Sequence, residues 1–266
     1  MSKSFKIMGI LNVTPDSFSD GGDFLNIKDA LSHVEEMIND GADIIDVGGE
    51  SSRPNSEEIT AQEEVRRIIP VISEIHRNFP DITISVDTTK YSVALAALDN
   101  GASIINDISG LGNDPKIAEL VSRFNAGLII MHIQGTPKTM QLNPQYSNVV
   151  EDVFLHLKSR IEFAHRFGAE YIWADVGIGF GKTLEHNLEL LRNLDYFHKL
   201  NVPLALGISR KAFIGKILNI DEPKERDVAT ALMHSLLINK DINIIRVHNV
   251  KYLNQLRILN EVLNDK

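Results

Sequence analysis

GADIID at 41–46, GASIIND at 101–107 and GAEYIWAD at 168–175 are three versions of one phrase. In each, a glycine ends an amphipathic stretch. A short apolar run follows and closes on a carboxylate or amide. Glycine tolerates the left-handed backbone that terminates a helix, and a compact Ile-rich run is what a strand buried on both faces looks like. The phrase therefore predicts a helix-to-strand joint, used three times. Outward from it, strand candidates recur near 6–11, 43–47, 82–86, 103–106, 127–131, 170–174, 203–207 and 243–247. Helical stripes lie between them: Val65, Ile68, Ile69, Ile72 and Ile75; Val150, Val153, Phe154, Leu157, Ile161 and Ala164; and Tyr252, Leu256, Leu259 and Leu263. Asp114-Pro115 predicts a helix start. Eight such units in 266 residues favour a closed (β/α)8 TIM barrel, with an open doubly wound sheet as the other arrangement. No Pro/Ser-rich linker divides the chain, so one domain over 1–266 is expected. The long connections at 12–27, 48–60 and 132–147 all follow strands, which would gather them on one face.

Bulk composition narrows the chemistry. Hydrophobic residues make up 43% and charged residues 24%, as in ordinary globular proteins. The net charge of −9 and the lack of a Lys/Arg run argue against a broad nucleic-acid interface, though an anionic small molecule needs only a few local cations. With no cysteine, disulfides and thiolate metal sites are excluded. The apolar run from Ile7 to Leu11 is too short for a signal-peptide core, and no stretch approaches a membrane span. The absence of cysteine fits a reducing cytosol, and no membrane partner is expected.

Polar residues stand at or just beyond every strand end: Asn12; Ser52 and Arg53; Asp87; Asn106 and Asp107; His132; Asp175; Ser209, Arg210 and Lys211; Arg246 and His248. Any one of them reads most simply as a helix cap or solvated turn. Eight together would converge on one barrel mouth, and their desolvation is costly unless they bind one another or a ligand. Asp87, Asn106 and Asp175 offer hydrogen-bond partners to a neutral heterocycle; Arg53, Lys211, Arg246 and His248 suit a phosphorylated anion. GIGFGKT at 177–183 is not a phosphate loop, because only three residues separate Gly177 from Gly181. Its glycines either let the backbone approach a planar ligand or make a tight turn. The nine histidines show no zinc spacing. His33, His76, His156, His165 and His198 fall in helical patterns and read as surface residues, leaving His248 as the histidine of interest.

Taken in order, MGILNVTPDSFSDGG at 8–22, DVGGESSRP at 46–54, SVDTTK at 85–90, IND at 105–107, MHIQGTPKTMQ at 131–141, DVGIGFGK at 175–182, GISRKAFIG at 207–215 and RVHNV at 246–250 closely resemble the signatures of dihydropteroate synthases. The resemblance spans essentially the whole chain. It implies transfer of a dihydropterin-methyl group from its diphosphate to 4-aminobenzoate in folate biosynthesis, by a cytoplasmic homodimer that sulfonamides target. It also implies roles. Asp87, Asn106, Met131, Asp175, Phe180, Gly207 and Lys211 would hold the pterin. Asn12, Arg53, Arg246 and His248 would grip the diphosphate, with Asn12 also binding Mg²⁺, a hard cation suited to oxygen ligands. Phe18, Ser52, Arg53, Pro54, Lys211 and Ala212 would line the aminobenzoate pocket. Asp87, Lys211, Arg246 and His248 would carry the catalysis, through positioning and electrostatics without a covalent intermediate.

The chain departs from the family pattern at Ser52 for Thr, Asn55 for Gly, Val176 for Pro, Asn249 for Asp and Ala212 for Ser. The last removes a hydroxyl that would face the aminobenzoate carboxylate, leaving more to the backbone N–H groups of the helix start. Two other readings are a methyltetrahydrofolate–corrinoid methyltransferase and a non-catalytic pterin-binding homologue. Against the first stand the Ser-Arg-Lys, Arg-Val-His and NVTPDSFSDGG signatures, and against the second the retention of Asn12, Arg53, Lys211, Arg246 and His248.

Overall fold

The computed structural model describes residues 5–14, 23–52 and 56–264. Eight parallel strands close into a barrel in chain order: β1 (Lys6–Asn12), β2 (Ile44–Gly48), β3 (Thr83–Asp87), β4 (Ile104–Asp107), β5 (Gly127–Met131), β6 (Tyr171–Asp175), β7 (Leu204–Leu206) and β8 (Ile242–Val247). Around them run α1 (Asp23–Asn39), α2 (Ala61–Asn78), α3 (Tyr91–Asp99), α4 (Ile117–Arg123), α5 (Val149–Arg166), α6 (Leu184–Arg192), α7 (Ala212–Leu218), α8 (Asp227–Leu236) and α9 (Val250–Asn264). The pairing of β1 with both β2 and β8 excludes the open sheet. Among the described residues, no helix is long and apolar enough to cross a membrane.

The joints behave as their sequence predicts. Gly41, Gly101 and Gly168 all carry positive φ, at 102°, 106° and 84°. Helix starts are secured by side chains: Thr60 accepts from Glu63 N, Asn148 from Val150 N and Glu151 N, and Thr183 exchanges bonds with His186 in a capping box.

Three boundaries differ from expectation. α1 begins at Asp23, which shortens the first connection. Asp114-Pro115 forms a turn ahead of α4 instead of its first residues; Asp114 O accepts from Ile117 N. β7 has only three residues, since Pro203 has no N–H to donate and the register with β8 shifts between Leu204 and Ala205. The stripe of α9 also faces the other way. Val250 and Leu253 are buried, and of the expected stripe only Leu256 packs against the core, whereas Tyr252, Leu259 and Leu263 lie exposed.

Alternation along the strands sorts the chain into two cores. Residues pointing outward, among them Ile7, Ile45, Val47, Ile105, Ile130 and Val247, meet the helices. Met8, Ile44, Ile104, Ile129, Ala205 and Ile244 fill the barrel with Trp173, whose Nε1 donates to Asn243 Oδ1 at 2.7 Å. One period of two further along each strand, the inward positions hold Asp46, Asn106, Met131, Asp175 and Arg246. The mouth is thus built on the same parity as the apolar plug beneath it.

On the helical side, His234 of α8 is 1% exposed and neither ring nitrogen has a partner. Burial lowers its pKa to about 3. The unfolded chain would bind this proton near the ordinary imidazole value of about 6.5, so between roughly pH 6.5 and 3 unfolding takes up a proton. Stability is fully present above that window and is lost as pH falls through it, by about 1.4 kcal/mol per pH unit for one such group. Urea unfolding of His234→Leu at pH 7.5 and 5 should show a smaller acid loss than the parent; an equal loss would refute the assignment.

Candidate active site at the barrel mouth

The floor of the mouth is a chain of hydrogen bonds between four strands. Arg246 of β8 donates Nε to Asp46 Oδ2 at 2.6 Å and Nη2 to Asp87 Oδ2 at 2.8 Å. Asn106 of β4 donates Nδ2 to the same Asp46 oxygen at 3.1 Å. The register sets Asp87 directly beside Asn106 and Asp46 two residues before Gly48, which itself pairs with Asp87. Asp46 is fully buried. Burial pushes the Asp87 carboxyl up to about 7; Arg246 pulls it down, while Asp46, Glu64 and Asp107 reinforce the rise.

A second cluster stands across the mouth. Asp175 ends β6, and its Oδ1 accepts from Gly177 N at 2.8 Å. Its pKa is raised by burial, against that N–H and the cations of Lys211, Lys182 and Arg246. Lys211 reaches over the Phe180 ring, with Nζ 3.9 Å from its centroid and 2.6 Å from Ile178 O. Burial lowers the Lys211 pKa to about 7, opposed by Asp175 and Asp87. Gly207 separates the clusters; a Cβ there would sit 3.9 Å from Asp175 Oδ2 and 3.8 Å from Arg246 Cβ. His248 follows on the rim, where Ser209 Oγ meets its Nδ1 at 2.9 Å.

The GIGFGK turn is held rigidly. Gly177, Gly179 and Gly181 all have positive φ, and a Cβ on Gly177 would fall 1.8 Å from His132 O. The tight-turn reading therefore holds, and close backbone approach is built into it. Gly179 is tied through N to Asn187 and through O to Gln141, and Gly181 O accepts from Tyr146. Beneath the turn, Lys182 is almost completely buried, its Nζ 2.9 Å from His132 Nδ1 and 3.0 Å from Phe180 O. Burial drives the Lys182 pKa well below the ordinary range and that of His132 to about 2.

Asp87, Asn106, Met131, Asp175, Lys211 and Arg246 therefore meet at one opening, with Phe180, Gly207 and His248 at its edge. Asn12 ends β1 half-buried beside Gly48. Ser52 lines an adjoining cavity of about 290 Å³ with Asp87, Thr88 and Lys90. Ala212 is the exposed first residue of α7, whose N-cap Lys211 forms no side-chain cap. Phe18, Arg53, Pro54 and Asn55 lie outside the described residues. Among the described residues, no cluster of three or more His, Cys, Asp or Glu side chains could hold a metal ion.

Three strand-end residues do structural work instead. Asp107 turns back to accept from Ser109 N and Leu111 N. His132 lies behind the mouth on Lys182. Arg210, with φ at +59°, is swung away into a bidentate pair with Asp227 at 2.6 and 2.7 Å. His156 is not on the surface as its helical pattern implied; it is half-buried, edge-on to His132 at 4.9 Å. Sequence reasoning missed Asp46 and Lys182. The signal for Asp46 was its spacing, two residues after the inward Ile44.

Comparison with known proteins narrows what such a mouth binds. The family model described as pterin binding enzyme matches residues 8–248. A dihydropteroate synthase of Synechocystis is 42% identical over 252 residues, covering 94% of this chain and 87% of the relative. The dihydropteroate synthase of Clostridium difficile, solved in the presence of pteroic acid, superposes with a TM-score of 0.91 at 42% identity, covering 100% and 98% of the two chains. That of Xanthomonas albilineans with 4-aminobenzoic acid gives 0.91 at 34% identity, covering 98% and 94%.

Proposed function

This chain belongs to the dihydropteroate synthase family of pterin-binding enzymes, and we propose that it transfers a 7,8-dihydropterin-6-ylmethyl group from its diphosphate to 4-aminobenzoate, releasing diphosphate. The observation that carries the reading is the convergence of Asp87, Asn106, Asp175, Lys211 and Arg246 on one opening above an apolar plug. An amino-pyrimidine edge offers N–H donors, and the free oxygen of Asp175 accepts them; each bond to a charged acceptor contributes about 1.5–3 kcal/mol. Met131 and Phe180 flank the ring. Arg246, His248 and Arg53 attract the diphosphate end. The mouth also fits a cation carried by that diphosphate, since Asn12 supplies a hard amide oxygen at the rim. Asn12 would hold Mg²⁺, which when bound offsets charge on the leaving group.

Cleavage of the methylene–oxygen bond leaves positive charge on the pterin. The Asp87 carboxylate stabilises it from the floor, in a site where low dielectric strengthens the interaction. The aromatic amine then attacks the methylene and loses its proton. Lys211 lies between the two substrates and holds the ring on one side and the aminobenzoate carboxylate on the other. Ser52 and the start of α7 belong to that second pocket, and the family resemblance gives Phe18 and Pro54 the same role.

A homodimer belongs to the same reading. Val228, Leu232 and Leu236 form one exposed face of α8, and Ile258, Leu259, Val262 and Leu263 are exposed on α9, apolar surface of the kind a protein–protein contact covers. The cysteine-free chain suits a reducing, cytoplasmic compartment.

Diphosphate release with Mg²⁺, the pterin diphosphate and 4-aminobenzoate should require both organic substrates; binding without turnover would overturn the proposal in favour of an inactive homologue. Asp87 must be ionised and Lys211 protonated, and both titrate near 7. Activity therefore rises with pH as Asp87 loses its proton and falls as Lys211 does. The expected kcat/KM profile is a narrow bell around neutrality, with Asp87 setting the acid limb and Lys211 the basic one. Asp87→Asn should lose the acid limb, and a flat parent profile from pH 6 to 8.5 would contradict both roles. Ala212→Ser should lower the KM for 4-aminobenzoate by about tenfold, the worth of one hydroxyl–carboxylate bond; an unchanged KM would remove position 212 from that pocket.

A further inference from the structure

Asp46 is the one member of the mouth's floor with no role in the reading above. It is fully buried, and its Oδ2 serves two donors, Arg246 Nε and Asn106 Nδ2. Its Oδ1 is buried with no partner. A carboxylate accepts and cannot donate, so Asn106 must turn its NH2 toward Asp46 and leave its carbonyl for the mouth. The same carboxylate sets the guanidinium of Arg246 at the angle that lets Nη2 reach Asp87. We propose that Asp46 is a positioning residue for the pterin subsite: it fixes Asn106 as a hydrogen-bond acceptor toward the ring and holds Arg246 against Asp87. The inference rests on the pterin reading of the mouth.

Mutating Asp46 should also reach Asp87. The charged groups facing Asp87 are Arg246 from β8, Asp46 from β2, Glu64 from α2, Asp107 from β4 and Lys211 from the start of α7. Of these, Asp46 is the anion that shares Asp87's own counter-ion. Removing its charge takes one anion from beside Asp87 and leaves Asp87 as the carboxylate hydrogen-bonded to Arg246, which favours the ionised form of Asp87.

The test compares the parent, Asp46→Ala and Asp46→Asn by calorimetric binding of dihydropterin diphosphate and by steady-state kinetics, with folding followed by thermal melting. Asp46→Ala should weaken pterin binding at least tenfold while the KM for 4-aminobenzoate stays within about twofold. Asp46→Asn should bind with intermediate strength and move the acid limb of kcat/KM to lower pH by roughly half a unit or more. A merely structural residue would lower the melting temperature without moving that limb or separating the two KM values, and such a result overturns the proposal. In a cycle with Asn106→Ala, the two binding losses should be less than additive; full additivity also counts against it.

If neither Asp46 variant folds, Asn106→Asp carries the test. Its new carboxylate would face an intact Asp46, so pterin binding should be poor at pH 8 and recover at least tenfold toward pH 5.5, while Asn106→Ala recovers nothing. Equal behaviour of the two would end the inference. Failure of the parent itself to bind the pterin diphosphate would instead remove the reading on which the inference stands.

Discussion

Arg246 sits with three-quarters of its side chain out of water, between two carboxylates on two other strands. Burying a guanidinium is tolerable only where its charge is matched and its donors are used, and removal of one partner leaves the other charge uncompensated. The closed ring of strands brings β2, β3 and β8 near enough for that match. Asp46 and Asp87 are in turn the groups that most need a cation. The mouth thus exists as a mutual constraint: the barrel must close to satisfy the charges, and the charges keep the upper barrel from filling with apolar side chains.

That constraint leaves the site electrically undecided. Three carboxylates, Asp46, Asp87 and Asp175, share two cations, Arg246 and Lys211. Asp87 and Lys211 both titrate near neutrality because burial opposes charge on each while the partners restore it. A ligand that develops positive charge near Asp87 and carries anionic groups at its other end resolves both imbalances. The glycine turn beside the floor is tied down by Lys182, Asn187, Gln141 and Tyr146.

Much of this could be read from the chain because strand ends in a barrel share a mouth. Asp87, Asn106, Asp175 and Arg246 were legible as soon as the apolar runs were aligned. Their neighbours were not. Arg210 and Lys211 are adjacent in sequence, yet one left-handed residue sends the first to Asp227 and the second to Phe180; no side-chain pattern encodes that φ. Asp107 ends its strand beside Asn106 but is spent on its own turn. Lys182 could not be read at all, since a lysine is ordinarily solvated and its burial depends on His132, fifty positions away. The outward stripe of α9 has the spacing of a core face, and only packing reveals which stripe the barrel covers.

The position of the charges relative to the plug explains why the arrangement can act on a ring. Along the inward parity, Ile44 precedes Asp46, Ile104 precedes Asn106, Trp173 precedes Asp175 and Ile244 precedes Arg246. Each step is one strand period, about 6.6 Å. Beneath Asp87 the same position holds Ser85, a small hydroxyl that is itself fully buried, so water reaches the polar layer from above. A flat heterocycle lying on that layer removes the remaining water in a single event, and the field of Asp87 and Arg246 then falls on the ligand with little screening. Were the plug polar, hydration from below would persist and the same side chains would lose most of their hold on a developing charge.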